Sequence, residues 1–221
     1  MADFDLSTPA GRFRTYLDYL WNDHAYLRLG FRNAHWISEE LARANQPWPH
    51  QLAAWKRAGV RTVINLRGGF DASFHALEKA ACDDLGLTLV DFTITSREVP
   101  SRERVLGAKR LFETVEYPAM MHCKSGADRA GIMSVLYRHF RQGRSIREAL
   151  DQLHPRYLHV RAGKTGVLDY IFQRYLAEGE PKGQSFLDWV ESPAYDPAAI
   201  KADFRARWWG RALTEGVLKR E

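Results

Sequence analysis

Residues 119–137 of the chain read AMMHCKSGADRAGIMSVLY, and the order of residue types in this stretch predicts a strand, a tight loop and a helix. The apolar run Ala119–His122 is typical of a short buried strand, and Cys123 follows it directly. Five residues then separate Cys123 from Arg129, after which Ala130–Arg141 carries apolar residues at helical spacing. Cys123 and Arg129 are therefore predicted to lie at the two ends of a loop that joins the strand to the helix.

The chemistry that such a loop favours is the binding of a tetrahedral anion. In a tight loop that enters a helix N-terminus, successive backbone N–H groups point inward, and the positive end of the helix dipole adds to their field. Gly126 relieves the strain of the loop, and the small Ser125 and Ala127 leave the backbone accessible. Arg129 can donate two hydrogen bonds to phosphate oxygens, and the same field favours the thiolate form of Cys123. We therefore predict a phosphate-binding loop with a nucleophile at its base. The loop residues are Lys124, Ser125, Gly126, Ala127, Asp128 and Arg129.

The chain on either side of this stretch alternates between strand patterns and helix patterns. Val60–Leu66 is rich in β-branched residues and stops at a pair of glycines, so it is typical of a buried strand. Ser145 and Glu148 form the capping box that begins a helix. Such alternation predicts an α/β fold with a central, mainly parallel sheet that helices flank. The other predicted strands are His35–Ile37, Leu41–Arg43 and Leu87–Thr95, and the other predicted helices are 12–29, Pro49–Ala58, Ser73–Leu85, Ser101–Val115, Ser145–Leu153 and Thr165–Ala177.

The composition excludes several classes of protein. The chain has 221 residues, of which 45% are hydrophobic and 12% aromatic, and this apolar content excludes a disordered protein. The longest stretch free of Asp, Glu, Lys and Arg is Ala44–Trp55, which is shorter than the about 20 apolar residues of a membrane-spanning helix. The N-terminus lacks the basic and apolar regions of a secretory signal, so we expect a cytoplasmic protein. A formal net charge of +5 suits an acidic partner such as a phosphate group, an anionic lipid or a nucleic acid.

The stretch around Cys123 resembles the signature of the cysteine-dependent protein tyrosine phosphatase superfamily, His-Cys-x5-Arg between a strand and a helix. The position of the loop near the middle of the chain resembles the dual-specificity branch and its lipid-phosphatase relatives. Residues 44–68 look like the entry to atypical and bacterial members of that branch, so the resemblance covers about residues 33–178. It implies that Cys123 attacks phosphorus to form a phosphocysteine, that Arg129 and the loop amides bind the phosphoryl oxygens, and that neither a metal nor a cofactor is needed.

The family also uses a general acid, commonly an Asp some tens of residues before the Cys, and three carboxylates are candidates for this role. Asp128 stands immediately before Arg129, as in some bacterial members, and we place it first. Asp91 lies 32 residues before Cys123 and fits by separation, but it falls inside a predicted strand, so we place it second. Glu98, in the loop after that strand, is the third candidate.

Ala130 departs from the family pattern. Most members have Ser or Thr directly after the Arg, and the hydroxyl helps the thiolate leave when the phosphocysteine is hydrolysed. The resemblance therefore predicts a phosphatase with slow dephosphorylation and burst kinetics. The alternative function is that of a pseudophosphatase, a module that binds a phosphorylated ligand in the same loop without turnover.

The two ends of the chain lie outside the resemblance. We predict an N-terminal helical segment over 1–32, a catalytic domain over 33–178 and an aromatic, basic extension over 179–221. In the extension, Ile200, Phe204 and Trp208 share one helical face, which favours packing onto the catalytic domain and leaves peripheral contact with an anionic membrane as the alternative. The expected partner is a phosphorylated protein, or a small or lipid phosphate. Nucleic acid is not expected, because the aromatic residues are not interleaved with basic ones on a strand platform.

Overall fold

The computed structural model describes residues 4–218, with side chains described up to Arg207. A five-stranded, mostly parallel sheet is flanked by helices, which confirms the predicted α/β class. No described helix is long and apolar enough to cross a membrane. The strands are β1 (His35–Trp36), β2 (Leu41–Asn45), β3 (Thr62–Asn65), β4 (Thr88–Asp91) and β5 (Ala119–Cys123). The helices are α1 (Pro9–Trp21), α2 (Pro49–Arg57), α3 (Ser73–Leu85), α4 (Arg102–Thr114), α5 (Asp128–Phe140), α6 (Ile146–Ala149), α7 (Val167–Glu178), α8 (Phe186–Glu191) and α9 (Pro197–Leu218).

The order of the strands places the end of β5 in the middle of the sheet. The order is β1-β2-β5-β3-β4, with β1 antiparallel to β2 and the other neighbours parallel. Asn45 pairs with Cys123, while Asn65 pairs with both His122 and Asp91. Ligands of open α/β sheets bind beyond the carboxyl ends of the parallel strands. Cys123 lies at that edge, between the ends of two neighbouring strands.

One face of the sheet packs against α2 and α3 through a cluster of buried apolar side chains. The small Ala42 and Ala44 of β2 allow the close approach of the helices, and Cys82 of α3 is fully buried in the same cluster. Burial of apolar area at about 25 cal/mol per Å2 stabilises this layer. The cluster consists of Ala42, Ala44, Leu52, Val60, Val63, Cys82, Leu87 and Met120.

The chain forms two compact units. The first contains the described residues up to Ile94 together with Glu113–Ser134, and it holds the whole sheet with α1, α2 and α3. The second contains Thr95–Phe112 and the described residues from Val135 onward, with α6 to α9. The segment boundaries predicted at 1–32, 33–178 and 179–221 stay a prediction.

Two members of the predicted apolar face of α9 are buried inside the second unit. Ile200 is 1% exposed, and Phe204 is 8% exposed with its ring 5.7 Å from that of Tyr170 in α7. This confirms the packing prediction for these two side chains, whereas Trp208 lies outside the described side chains. Membrane contact through the extension stays a prediction, and neither Ile200 nor Phe204 is available for it.

Several predicted elements differ in extent from the observed ones. The helix predicted over Ser145–Leu153 is an α-helix only over Ile146–Ala149, and a 3-10 helix follows over Leu150–Gln152. The single N-terminal helix predicted over 12–29 is wrong: α1 ends at Trp21, because His24 adopts a left-handed backbone with φ of 54°, and a short 3-10 helix follows over Ala25–Arg28. The strand predicted over Leu87–Thr95 is paired only as far as Asp91, where its partner β3 also ends, at Asn65.

Candidate active site

The predicted nucleophile lies at the start of the predicted loop. Cys123 is the last residue of β5 and is 1% exposed. The loop then runs to Asp128, the first residue of α5, so the helix begins two residues earlier than predicted and Arg129 lies in its first turn. The helix N-terminus adds its positive dipole end to the loop. The structure therefore brings together the six residues from Lys124 to Arg129 beside Cys123.

Four successive carbonyl groups of the loop accept hydrogen bonds from residues outside it. In a trans peptide the C=O and the following N–H point in opposite directions, so these carbonyls direct the N–H groups of residues 125, 126 and 128 away from β2. The N–H of Ala127 lies 3.4 Å from Ser125 Oγ within the loop. A row of such N–H groups forms an anion-binding nest. The donors given below come from the segment around β2, and the backbone N–H of Gly131 in α5 also donates to Ala127 O (2.8 Å). The pairs are Gln46 N to Lys124 O (3.4 Å), Asn33 Nδ2 to Ser125 O (2.9 Å), and Arg43 Nη2 to Gly126 O and Ala127 O (2.8 Å each).

Arg43 and Gly126 fix the shape of this loop against β2. Arg43 is a fully buried cation, and its guanidinium binds two consecutive carbonyls with one nitrogen. Gly126 has a φ of 73°, and a Cβ there would lie 2.7 Å from both the carbonyl carbon of Ala44 and the amide nitrogen of Asn45. Only glycine fits at this position. Our sequence reasoning missed Arg43, although an arginine in the middle of a buried strand is itself unusual.

A buried polar network connects the residue before Cys123 to the residue after it. His122 and Glu78 are both nearly inaccessible to solvent, and their side chains approach within ion-pair distance. The chain of contacts is His122 Nε2 to Glu78 Oε1 (2.7 Å), Gln46 Nε2 to Glu78 Oε1 (2.9 Å), Arg67 Nη1 to Gln46 Oε1 (2.9 Å), Arg67 Nη2 to Asp23 Oδ1 (2.6 Å) and Lys124 Nζ to Asp23 Oδ1 (3.3 Å).

Asp23 forms ion pairs with three basic side chains at this end of the network. It pairs with Arg28 and Arg67, whose side chains are 6% and 7% exposed, and with the half-exposed Lys124. Burial raises the pKa of Asp23, but the hydrogen bond and charge of Arg67, with the charges of Arg28 and Lys124, lower the pKa further, so it lies below the ordinary value of 3.8. Sequence reasoning assigned Asp23 to a separate N-terminal segment and missed its contact with the loop.

The substitution Asp23→Asn is expected to destabilise the protein by about 3 kcal/mol, because it leaves two buried guanidinium groups without their shared carboxylate. The lowered pKa also gives a pH dependence. The contribution of Asp23 to the free energy of unfolding is present above the unfolded pKa of 3.8 and is lost as the pH falls through the lower folded value. Urea unfolding at neutral and at acidic pH measures both effects.

The matched control is Asp83→Asn, which removes an exposed i,i+4 pair with Lys79 and should change the free energy of unfolding little. An equal decrease in the free energy of unfolding in the Asp23 and Asp83 variants would contradict the structural role of Asp23.

The three candidate acids occupy different environments. Asp128 lies within the loop, at the start of α5. Asp91 ends β4, where its carboxylate accepts a hydrogen bond from Asn65 Nδ2 (2.8 Å) and lies 3.1 Å from His75 Nε2. Two strand spacings, about 10 Å, separate Asp91 from His122. Glu98 belongs to the second unit and forms an ion pair with Lys201. Asp128 is the candidate that shares the loop with Cys123.

The second cysteine has a different environment. Burial, with the nearby carboxylates of Glu78 and Asp83, raises the pKa of Cys82 to about 12, so its thiol stays protonated at neutral pH. Both cysteines are free of disulfide bonds. Among the residues that the structure describes, no group of three or more His, Cys, Asp or Glu is placed to bind a metal ion.

Comparison with known families matches this loop and its sheet to a phosphatase. Residues 38–166, more than half of the chain, match the family model described as a DSP-PTPase phosphatase fused to NAD+ kinase. The chain belongs to this phosphatase family. The enzyme is thus a hydrolase of the tyrosine and dual-specificity type, and the matched residues include Cys123, Arg129 and the strands that position them.

Solved structures show the same fold. Tk-PTP in its active form superposes on the phosphatase with a TM-score of 0.50 and 21% identity, over 58% of this chain and 86% of Tk-PTP. TpbA of P. aeruginosa, in a variant complexed with pTyr, gives a TM-score of 0.51 and 22% identity, over 66% of this chain and 91% of TpbA. Among curated proteins, none matches the sequence.

Proposed function

We propose that this phosphatase hydrolyses phosphomonoesters without a metal, through a cysteinyl-phosphate on Cys123. The observation that carries the proposal is the loop itself, whose four carbonyls accept hydrogen bonds from the segment around β2. Its N–H groups are thereby left to bind an anion. The Cys123 thiolate attacks phosphorus, an S–P bond forms, and the bond to the leaving oxygen breaks. Arg129 and the loop amides stabilise the charge on the phosphoryl oxygens. Water then attacks phosphorus, the S–P bond breaks, and inorganic phosphate leaves.

Asp128 donates the proton to the leaving oxygen in this proposal. The substrate is a phosphotyrosine side chain or a small or lipid phosphate, all of which are dianionic monoesters that the loop can bind. The complex of the structural relative TpbA with pTyr supports the first of these.

The test of the acid is the release of phosphate from two aryl esters in the presence of EDTA. Asp128→Asn is expected to lower kcat for phosphotyrosine by about 100-fold, and the rate for p-nitrophenyl phosphate far less, because nitrophenolate leaves without a proton.

Asp91→Asn serves as the comparison, since it removes the second candidate at the end of β4. If Asp91→Asn lowered kcat for phosphotyrosine but not for p-nitrophenyl phosphate, and Asp128→Asn lowered neither, the general acid would be Asp91. Loss of activity in EDTA would contradict a metal-independent reaction. A folded wild type that binds vanadate without turnover would favour the pseudophosphatase.

Ala130 is expected to make hydrolysis of the phosphocysteine the slow step. It is buried in the first turn of α5, directly after Arg129, and offers no hydroxyl to the departing thiolate. A hydrogen bond to a charged group contributes about 1.5 to 3 kcal/mol, so Ala130→Ser should speed this step by about 10-fold or more. Stopped-flow measurement should show a burst in wild type that disappears in the Ser variant, with the rate of the first phase unchanged. An equal steady-state rate in both proteins, with no burst in either, would contradict this role.

A further inference from the structure

The second unit contains a cavity of about 400 Å3 whose wall carries more positive than negative charge. Arg97 and Glu98 come from the segment before α4, Lys164 comes from the 3-10 turn before α7, and Lys201 and Arg205 come from α9. The buried ring of Phe204 supplies part of the apolar wall. Four basic side chains and one acidic one therefore surround a space within the size range of small-molecule sites, about 300 to 1,000 Å3.

Three of these cations have no partner in the described part of the chain. Lys201 forms an ion pair with Glu98, but Arg97, Lys164 and Arg205 make neither a hydrogen bond nor an ion pair with any described residue. By contrast, Arg207 lies two residues after Arg205 on the same helix, and its guanidinium binds Asp203 at 3.2 Å. Like charges that line one cavity with an apolar wall focus their field into it and raise the local concentration of anions.

We propose that this cavity binds a small anion with two or more phosphate groups. One phosphate group carries a charge between about −1.5 and −2 at neutral pH. A single phosphate therefore cannot neutralise three separate cations. A ligand with adjacent phosphates can place an oxygen on each cation, while Phe204 contacts its uncharged part. The expected binding does not depend on turnover at Cys123.

Calorimetric titration of the full-length chain with inorganic tripolyphosphate tests the proposal. The Arg129→Met background is used so that the phosphate loop does not compete for the probe. Binding at one site is expected, with affinity that falls as salt rises. Arg205→Gln or Lys164→Gln should each weaken binding by about 10-fold, the effect of one charged hydrogen bond. Glu98→Gln should strengthen binding, because it removes the one negative charge of the wall and releases Lys201.

Arg207→Gln is the matched control, since it removes the same charge from the same helix outside the cavity and should leave the affinity unchanged. In an otherwise wild-type chain, Arg205→Gln should retain full activity on p-nitrophenyl phosphate. Equal weakening by Arg205→Gln and Arg207→Gln, or no binding of tripolyphosphate, would overturn the proposal.

The phosphates can belong to a soluble molecule or to the headgroup of a phosphoinositide, and sedimentation with vesicles distinguishes these sources. Co-sedimentation with phosphatidylcholine vesicles that contain the phosphoinositide, lost in Arg205→Gln, would identify the headgroup as the ligand. Tripolyphosphate binding without co-sedimentation would identify a soluble ligand.

Discussion

Cys123→Ser is expected to abolish phosphate release, lowering kcat by at least about 10^4-fold while the protein stays folded. The serine hydroxyl is a far weaker nucleophile than a thiolate, and the loss on removing the nucleophile of another hydrolase is about 10^6. Binding should survive, since the loop N–H groups and Arg129 remain. The measurement is phosphate release together with vanadate binding by the same variant.

Cys82→Ser is the matched control for this change. Cys82 is fully buried in α3, and its thiol has a pKa of about 12, so it contributes no nucleophile. Its replacement should cost stability, because a hydroxyl is placed among apolar side chains, but kcat of the folded fraction should be unchanged. Loss of activity in the Cys82 variant with retention in the Cys123 variant would contradict the assignment of the nucleophile.

Gly126→Ala is expected to lower kcat/KM by about 100-fold, since a displacement of about 1 Å in a catalytic loop has effects of this size. The new methyl group would lie 2.7 Å from backbone atoms of Ala44 and Asn45, and backbone cannot move aside as a flexible side chain can. The loop must therefore shift away from β2, which pulls the Gly126 and Ala127 carbonyls off Arg43. The N–H groups that we propose to bind the phosphoryl oxygens shift with them.

Gly143→Ala separates the effect of the contact from that of backbone strain. Gly143 has a φ of 66°, close to that of Gly126, but a Cβ there meets nothing within 4 Å. Both substitutions should therefore lower the free energy of unfolding by about 1 to 2 kcal/mol from the left-handed backbone alone. Only the Gly126 variant should lose activity. A similar fall of kcat/KM in both variants would show that the contact with β2 is unimportant.

The loop could be predicted from the sequence because its determinants are local. The apolar run before Cys123, the glycine at 126 and the helical spacing after Arg129 all lie within one stretch, and each constrains the same backbone. The alternation of strands and helices likewise identified the α/β class from neighbouring residues.

The support of the loop could not be predicted in the same way. Arg43 donates to carbonyls 83 and 84 residues away, and this contact exists because β2 lies next to β5. Asp23 contacts Lys124 from a segment outside the recognised pattern. Such pairings follow from the order of strands and from tertiary packing, neither of which hydrophobic periodicity reports. The remaining local clue was the charge of Arg43 within a strand that is buried at every position.

The most direct test of the mechanism is to trap the intermediate. The enzyme is mixed with phosphotyrosine, quenched with acid during the first turnover, digested and examined by mass spectrometry. A phosphoryl group on the sulfur of Cys123 is the expected result, and its accumulation should be high because Ala130 cannot assist the hydrolysis of the S–P bond. Steady release of phosphate with no phosphorylated Cys123 at any quench time would contradict the cysteinyl-phosphate mechanism.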